Sequence, residues 1–435
     1  TMEVTPVSQI FTKRRGLSIA AAIGVGALLA GCAGGDSSGS ADAPITLLTS
    51  GDADTTQGQG KAMNDVIALF TEETGVEAEQ DRVPFDQFLA SATTKARAGK
   101  LGDVVEMLPG ANFESLFSSV ADLTKDQFAD ADLLSGWSAT VKDVADDSVF
   151  AGVPVGAQGV VWYYNKALFE QVGLDPETPP ATWDEMLATC DAFNAEGISP
   201  IGMSGSDSFI LWWAWSSLSP QFFSTDDVNA VRAGDIALND ERFMDSLQPL
   251  LDSYNADCWN SDFAGKQFTD VEADFAAGEV AMVPGLVSNA INWKVWDDKL
   301  GTDAYGVFNA PKVSGTTLQG QFFNPVLMYG VSADSENPDA AVKLIETMAS
   351  AEGQTILLEE ASQFPNRTDV DVVGVTGSTG AGQILEIVDA VGGVDVAQNQ
   401  FNGAAQSASW TNLTQTMISG DLTGFLDNLE KQQRG

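Results

Sequence analysis

Histidine is absent from the 435 residues, which removes the commonest metal ligand and the commonest neutral-pH general base. Cysteine is scarce. Cys32, Cys190 and Cys258 lie far apart with no C-x-x-C or other ligand spacing, so zinc and thiol redox chemistry are not written here, and no metal or cofactor is expected. Basic residues are few, 21 against 61 acidic ones, for a formal charge of −40. Nucleic acid, whose phosphates need Lys and Arg, is therefore not an expected partner. Such acidity suits a protein facing solvent and does not identify a ligand.

What is present begins with a sorting segment at residues 1–31. Lys13, Arg14 and Arg15 precede an uncharged stretch, Gly16 to Gly31, that is shorter than the ~20 residues of a spanning helix. It ends in Leu29, Ala30, Gly31, Cys32, which resembles a bacterial lipobox. The resemblance implies diacylglyceryl transfer to Cys32, cleavage before it, and a lipid hold on the outer face of the cell membrane. A plain secretory signal or a short anchor helix is the alternative. Whether export is general or twin-arginine stays open, since Arg14 and Arg15 alone do not decide it. Residues 32–43, rich in Gly, Ser and Ala, read as a flexible tether that cannot bury a core.

The remaining chain is too long for one ordinary core, so two lobes are expected. Its organising stretch is Gly152 to Leu174: a polar loop through Gly156, Gln158 and Gly159, then the apolar run Val160 to Tyr164, then Asn165 capping a helix. A strand this apolar sits centrally in a sheet, and ligands of open α/β sheets bind at strand ends. Elsewhere Ile45–Thr49 reads as a strand. Met63, Val66, Ile67 and Phe70 fall on one helical face, and Thr182 with Glu185 forms a capping box. Phe209 to Leu218 is apolar on all sides, as in a helix buried on both. Gly374 to Gly382 reads as a plain loop, and Phe401 to Leu429 as helical with Trp410 at a turn. In an exported protein Cys190 and Cys258 are expected to pair, the alternative being two buried thiols.

Together with Asp103–Met107 and Phe275–Gly285, the organising stretch resembles the extracellular solute-binding proteins of ABC importers, in the carbohydrate-binding group that includes maltose-binding protein. The resemblance covers nearly the whole chain after residue 44. It implies an α/β fold of two lobes, each a sheet flanked by helices, with a ligand cleft between them. The lobes are expected at 44–157 plus 325–355 and at 158–324 plus 356–435, crossing near Gln158, at Gln321–Asn324 and at Gln363–Asn366. The implied function is a monomeric receptor, not an enzyme, that takes a sugar or oligosaccharide by hinge closure and delivers it to the importer's membrane subunits.

A sugar needs carboxylates and amides for its hydroxyls and flat rings for its C–H faces. Trp410 matches in position a tryptophan on which family members stack a sugar ring, and Gln158 a polar residue beside the crossing. Asp52 and Asn112 occupy exit loops of N-lobe strands, with helix capping as the alternative. Asp207 precedes the Trp-rich helix, with a helix N-cap as the alternative, and Trp213 within that helix is a further candidate against core packing. Gly285 and Asn289 lie in a further cleft loop, although Leu286 stands where the family often has an aromatic. No proposed cleft loop carries Arg or Lys, which favours a neutral solute. A glycoside hydrolase would need two carboxylates at fixed separation, and no such pair stands out.

Overall fold

Two sheets carry the two lobes, and in each the central strands are nearly continuous runs of buried residues, as in strands covered on both faces. The structure is a computed structural model describing residues 44–51, 53–108, 113–143, 146–288, 296–325 and 327–435, all within one unit, Ser40–Gly435. The sorting segment, the tether and Cys32 lie outside the described residues. In chain order the strands are β1 (Ile45–Ser50), β2 (Ala78–Val83), β3 (Val104–Met107), β4 (Val141–Asp143), β5 (Asp146–Phe150), β6 (Val153–Pro154) and β7 (Ala157–Asn165), then β8 (Ser199–Ile201), β9 (Val280–Leu286), β10 (Tyr305–Phe308), β11 (Gln321–Pro325), β12 (Met328–Val331) and β13 (Gly393–Val394).

The N-lobe sheet runs β2-β1-β3-β12-β6. Alternation divides it cleanly: Leu47, Val104 and Tyr329 enter one core with Met63, Val66 and Phe70 of helix Gly58–Thr74. Leu48, Val105 and Met328 enter another with Phe88 and Leu116. The C-lobe sheet runs β13-β11-β7-β9-β8, with β10 also on β7. Central β7 has both faces covered, so Trp162 and Tyr163 are fully buried. Trp162 donates its indole N–H to Ser217 Oγ at 3.1 Å, and Trp215 does the same to Ser246 Oγ at 2.8 Å. These bonds lock helix Phe209–Leu218, buried on both sides, between the sheet and helix Glu241–Asn255. The capping box puts Cys190 on the buried face of helix Trp183–Ala195, and its sulfur is bonded to that of Cys258 with Cα atoms 5.2 Å apart.

The chain crosses between lobes three times: from β6 to β7, from β11 to β12, and through Ser362–Asn366, where Phe364 bridges to Ala157. Asn366 ties these strands together. Its Oδ1 accepts from Gly156 N at 3.0 Å and Gln354 Nε2 at 2.8 Å, and its Nδ2 donates to Ser135 O at 2.8 Å and Pro154 O at 3.2 Å. Gly156 has φ 82°, and a Cβ there would fall 1.9 Å from Gln363 Nε2, so glycine is required at this crossing.

Three expectations need correction. The boundary at 355 falls inside helix Ala351–Ala361, which packs on helix Gly58–Thr74 through Leu357 and a Lys61–Glu360 ion pair at 2.9 Å, so the N-lobe extends to about 361. Gly374 to Gly382 is not a loop but two helices, Val372–Thr376 and Thr379–Val391, turning at Gly377 and capped by Ser378. Its glycines serve packing: a Cβ on Gly380 would meet the Tyr305 ring at 2.9 Å. Trp410 lies within helix Gly403–Ser419 rather than at a turn.

Candidate functional site

Strand direction decides which residues can meet a ligand. In the C-lobe sheet β8 and β9 are parallel while β7 runs against β9 and β11 against β7. One end of that sheet therefore gathers the end of β9, the start of β7, the end of β11 and the loop after β8. In the N-lobe sheet β1, β2 and β3 are parallel and β12 runs against β3, so the ends of β1 and β3 share an end with the start of β12. The crossings leave from these same two ends, as binding at strand termini requires.

On the C-lobe wall, half-buried Gln158 joins β7 to the exit of β9. Its Oε1 accepts from Ser288 N and Gly159 N, each at 3.1 Å, while its amide nitrogen contacts Ser288 Oγ. Gly285 is buried in the ladder opposite Val161 and contributes backbone alone. Asn289 lies outside the described residues, as do Asp52 and Asn112, which follow β1 and β3 in the chain.

At the same end of the sheet, after the loop that follows β8, stands an aromatic group. Phe209 is stacked on Trp213 with centroids 6.1 Å apart, and meets Phe268 at 5.7 Å and Trp410 at 5.8 Å edge-on. Phe209, Phe268 and Trp410 are half-buried, whereas Trp213 is buried. Trp410 Nε1 has no hydrogen-bond partner among the described residues. A link through Thr414, which contacts Ser208 Oγ at 2.7 Å and Gly205 O at 2.7 Å, holds the helix of Trp410 here. Phe209 and Phe268 are the residues the sequence reading missed. The signal for Phe209 is the helical face that it shares with Trp212 and Trp213, just after Asp207–Ser208 at a helix start.

Asp207 is committed to the fold. Its carboxylate accepts from Ser204 Oγ at 2.8 Å, Phe209 N at 3.2 Å and Phe268 N at 2.8 Å, so it fixes the two helix starts that carry those aromatics. It thereby places Phe209 and Phe268.

The N-lobe wall has a buried polar layer. Glu106, 1% exposed, contacts Ser50 Oγ and accepts from Ser50 N at 3.4 Å. Burial pushes its pKa up to about 7, opposed by the Ser50 bonds and the Arg82 charge. Half-buried Arg82 donates to Gln80 Oε1 at 2.9 Å and Thr49 Oγ1 at 3.3 Å. The expectation that no proposed cleft loop carries Arg or Lys considered loops only; Arg82 comes from the end of β2 and stands beside Gly51 at the exit of β1.

A cavity of about 270 Å³ opens beside the crossings, lined by Ser138 and Ala139 of the N-lobe and by Asn229, Arg232, Asn324 and Asp395 of the C-lobe. None of the predicted site residues lines it. At its edge Arg232 pairs with Glu114 across the lobes. Among the described residues no cluster of His, Cys, Asp or Glu is arranged to hold a metal, and no helix is long and apolar enough to cross a membrane.

Comparison with known proteins agrees with this architecture. The chain is 30% identical over 137 residues to the sn-glycerol-3-phosphate-binding periplasmic protein of Yersinia pestis, and 25% identical over 145 residues to that of Brucella abortus. It spans about 30% of the length of the curated relatives it matches. Among solved structures it is similar to a chitin oligosaccharide binding protein, with TM-score 0.74 at 18% identity over 90% of this chain and 98% of that one. It is similar also to RafE in complex with raffinose, with TM-score 0.69 at 19% identity over 89% and 98%. A probable secreted solute-binding lipoprotein from Streptomyces coelicolor gives 0.71 at 20% over 90% and 99%. The family pattern described as "Bacterial extracellular solute-binding protein" matches residues 53–355, more than half of the chain. With two lobes joined by three crossings and strand ends facing those crossings, this chain belongs to the bacterial extracellular solute-binding proteins.

Proposed function

We propose that the chain is a carbohydrate receptor that binds a sugar or oligosaccharide between its lobes and delivers it to an ABC importer, held to the outer face of the cell membrane through lipidated Cys32. The observation that carries this reading is the half-buried group of Phe209, Phe268 and Trp410, which starts from the loop after β8 at the same end of the C-lobe sheet as Gln158. Ring faces suit the C–H side of a pyranose, and amides its hydroxyls. The structures named above that bind chitin oligosaccharide or raffinose support the same ligand class. Because a ligand touching both lobes favours the form in which they approach, closure follows from differential contact and needs no other energy source.

Arg82 favours a second reading, a phosphorylated polyol such as the glycerol phosphate named for the curated relatives. Intrinsic tryptophan fluorescence of a chain starting after Cys32, titrated with mono- and oligosaccharides and with glycerol 3-phosphate, separates the two. A saturable response to one sugar, weakened at least tenfold (about 1.4 kcal/mol) in Trp410→Ala with the sugar recovered uncleaved, is the expected result. A response to glycerol 3-phosphate alone, lost in Arg82→Gln and kept in Trp410→Ala, moves the assignment to the second. Cleavage of the sugar overturns both.

A further inference from the structure

Glu106 stands where the pairing of β1 with β3 ends. The ladder registers Leu47 with Val104 and Leu48 with Val105. Two residues on, Ser50 finds the Glu106 carboxylate at both its N–H and its hydroxyl. Gly51 then turns at φ 122°, donates to Val83 O at 2.8 Å, and lies so close to Arg82 that a Cβ would fall 2.1 Å from Nη2. The β1 exit is thus shaped from below by a carboxylate and from the side by a guanidinium. In an otherwise apolar strand, VVEM, a fully buried Glu is costly, and apolar packing does not call for it.

We infer that Glu106 and Arg82 are positioning residues that fix the Ser50–Gly51 turn at the ligand-facing end of the N-lobe sheet, and that proton uptake by Glu106 loosens the turn. The inference rests on the interlobe binding site proposed above. Ionised, the carboxylate accepts both Ser50 bonds and faces the Arg82 charge. Protonated, it has an O–H to place and attracts Arg82 less. The charged and titratable groups acting on it are Arg82 from β2 and Tyr329 from β12, while Gln59 from helix Gly58–Thr74 acts on Tyr329. Burial raises the carboxyl to about 7, so the change falls between pH 6 and 8.

Two consequences have opposite signs, and this separates positioning from simple stability. A raised carboxyl contributes stability that is complete below its ordinary value and is lost as pH rises through about 7. The turn, in contrast, tightens as pH rises. The test is amide hydrogen exchange at Ser50 and Gly51 in the whole chain from pH 6 to 8, corrected for intrinsic rates, in wild type, Glu106→Gln and Glu106→Asp. Protection should rise about fivefold or more with pH in wild type and stay flat in Glu106→Gln, while the melting temperature of wild type falls over the same range. Glu106→Asp should recover part of the pH response. Equal protection at every pH, or a change shared by all N-lobe strands, overturns the inference. A chain that shows this profile but binds none of the sugars sinks the carbohydrate reading instead. If maltotriose is bound, its affinity should follow the exchange profile, and a pH-independent affinity also counts against the inference.

Discussion

Replacing Asn366 by alanine is expected to lower the unfolding free energy by about 3 to 5 kcal/mol, the loss incurred when a buried polar hub is removed and its partners stay behind. The side chain is 3% exposed, and deletion strands the Gly156 N–H, the Gln354 amide and the carbonyls of Ser135 and Pro154. Gly156 and Pro154 belong to the crossing from β6 to β7, Gln354 and Ser135 to the N-lobe beside it, and Asn366 itself to the third crossing, so the injury falls where the crossings meet the N-lobe. Urea unfolding should show a lower midpoint with an unchanged slope. A loss under about 1 kcal/mol would mean that water replaces the side chain at little cost.

The Cys190–Cys258 bond is the second large term. It closes a separation of 68 residues within the C-lobe, and the loop-closure entropy for that length corresponds to about 4 kcal/mol. The double variant Cys190→Ala, Cys258→Ala should unfold at lower urea by roughly that amount, and dithiothreitol should bring wild type to a similar midpoint while leaving the variant unchanged. Alanine suits the test because both cysteines are fully buried in the C-lobe core, where a serine hydroxyl would add its own penalty. Insensitivity of wild type to reductant under denaturing conditions would contradict the bond.

Much of the fold was legible because its determinants are local. The run Val160–Tyr164, the Asn165 cap and the Thr182–Glu185 box each depend on residues within a few positions of one another, and the structure has each in place. What was not legible depends on distant partners. Asp207 can be read as a cap of the helix that follows it, but nothing local shows that Phe268, 61 residues away, also donates to it. Glu106 is inconspicuous until strand pairing sets it beside Ser50, and Arg82 is overlooked if cations are sought in loops alone. Gly374–Gly382 has a loop's composition, yet Gly377 makes the turn between two helices and Gly380 lets the second of them approach Tyr305. Helix Ala351–Ala361, cut by the expected boundary at 355, carries no mark in its own periodicity of the lobe it packs on; its contact with helix Gly58–Thr74 places it with the N-lobe.

The central claim is that solute is held between the lobes and draws them together. Small-angle X-ray scattering of the chain starting after Cys32, measured alone and with each sugar that quenches its fluorescence, tests it most directly. The account predicts a smaller radius of gyration at saturation, and no compaction for Trp410→Ala at the same sugar concentration. Saturable binding with scattering curves that superimpose would place the solute on one lobe alone and contradict the account.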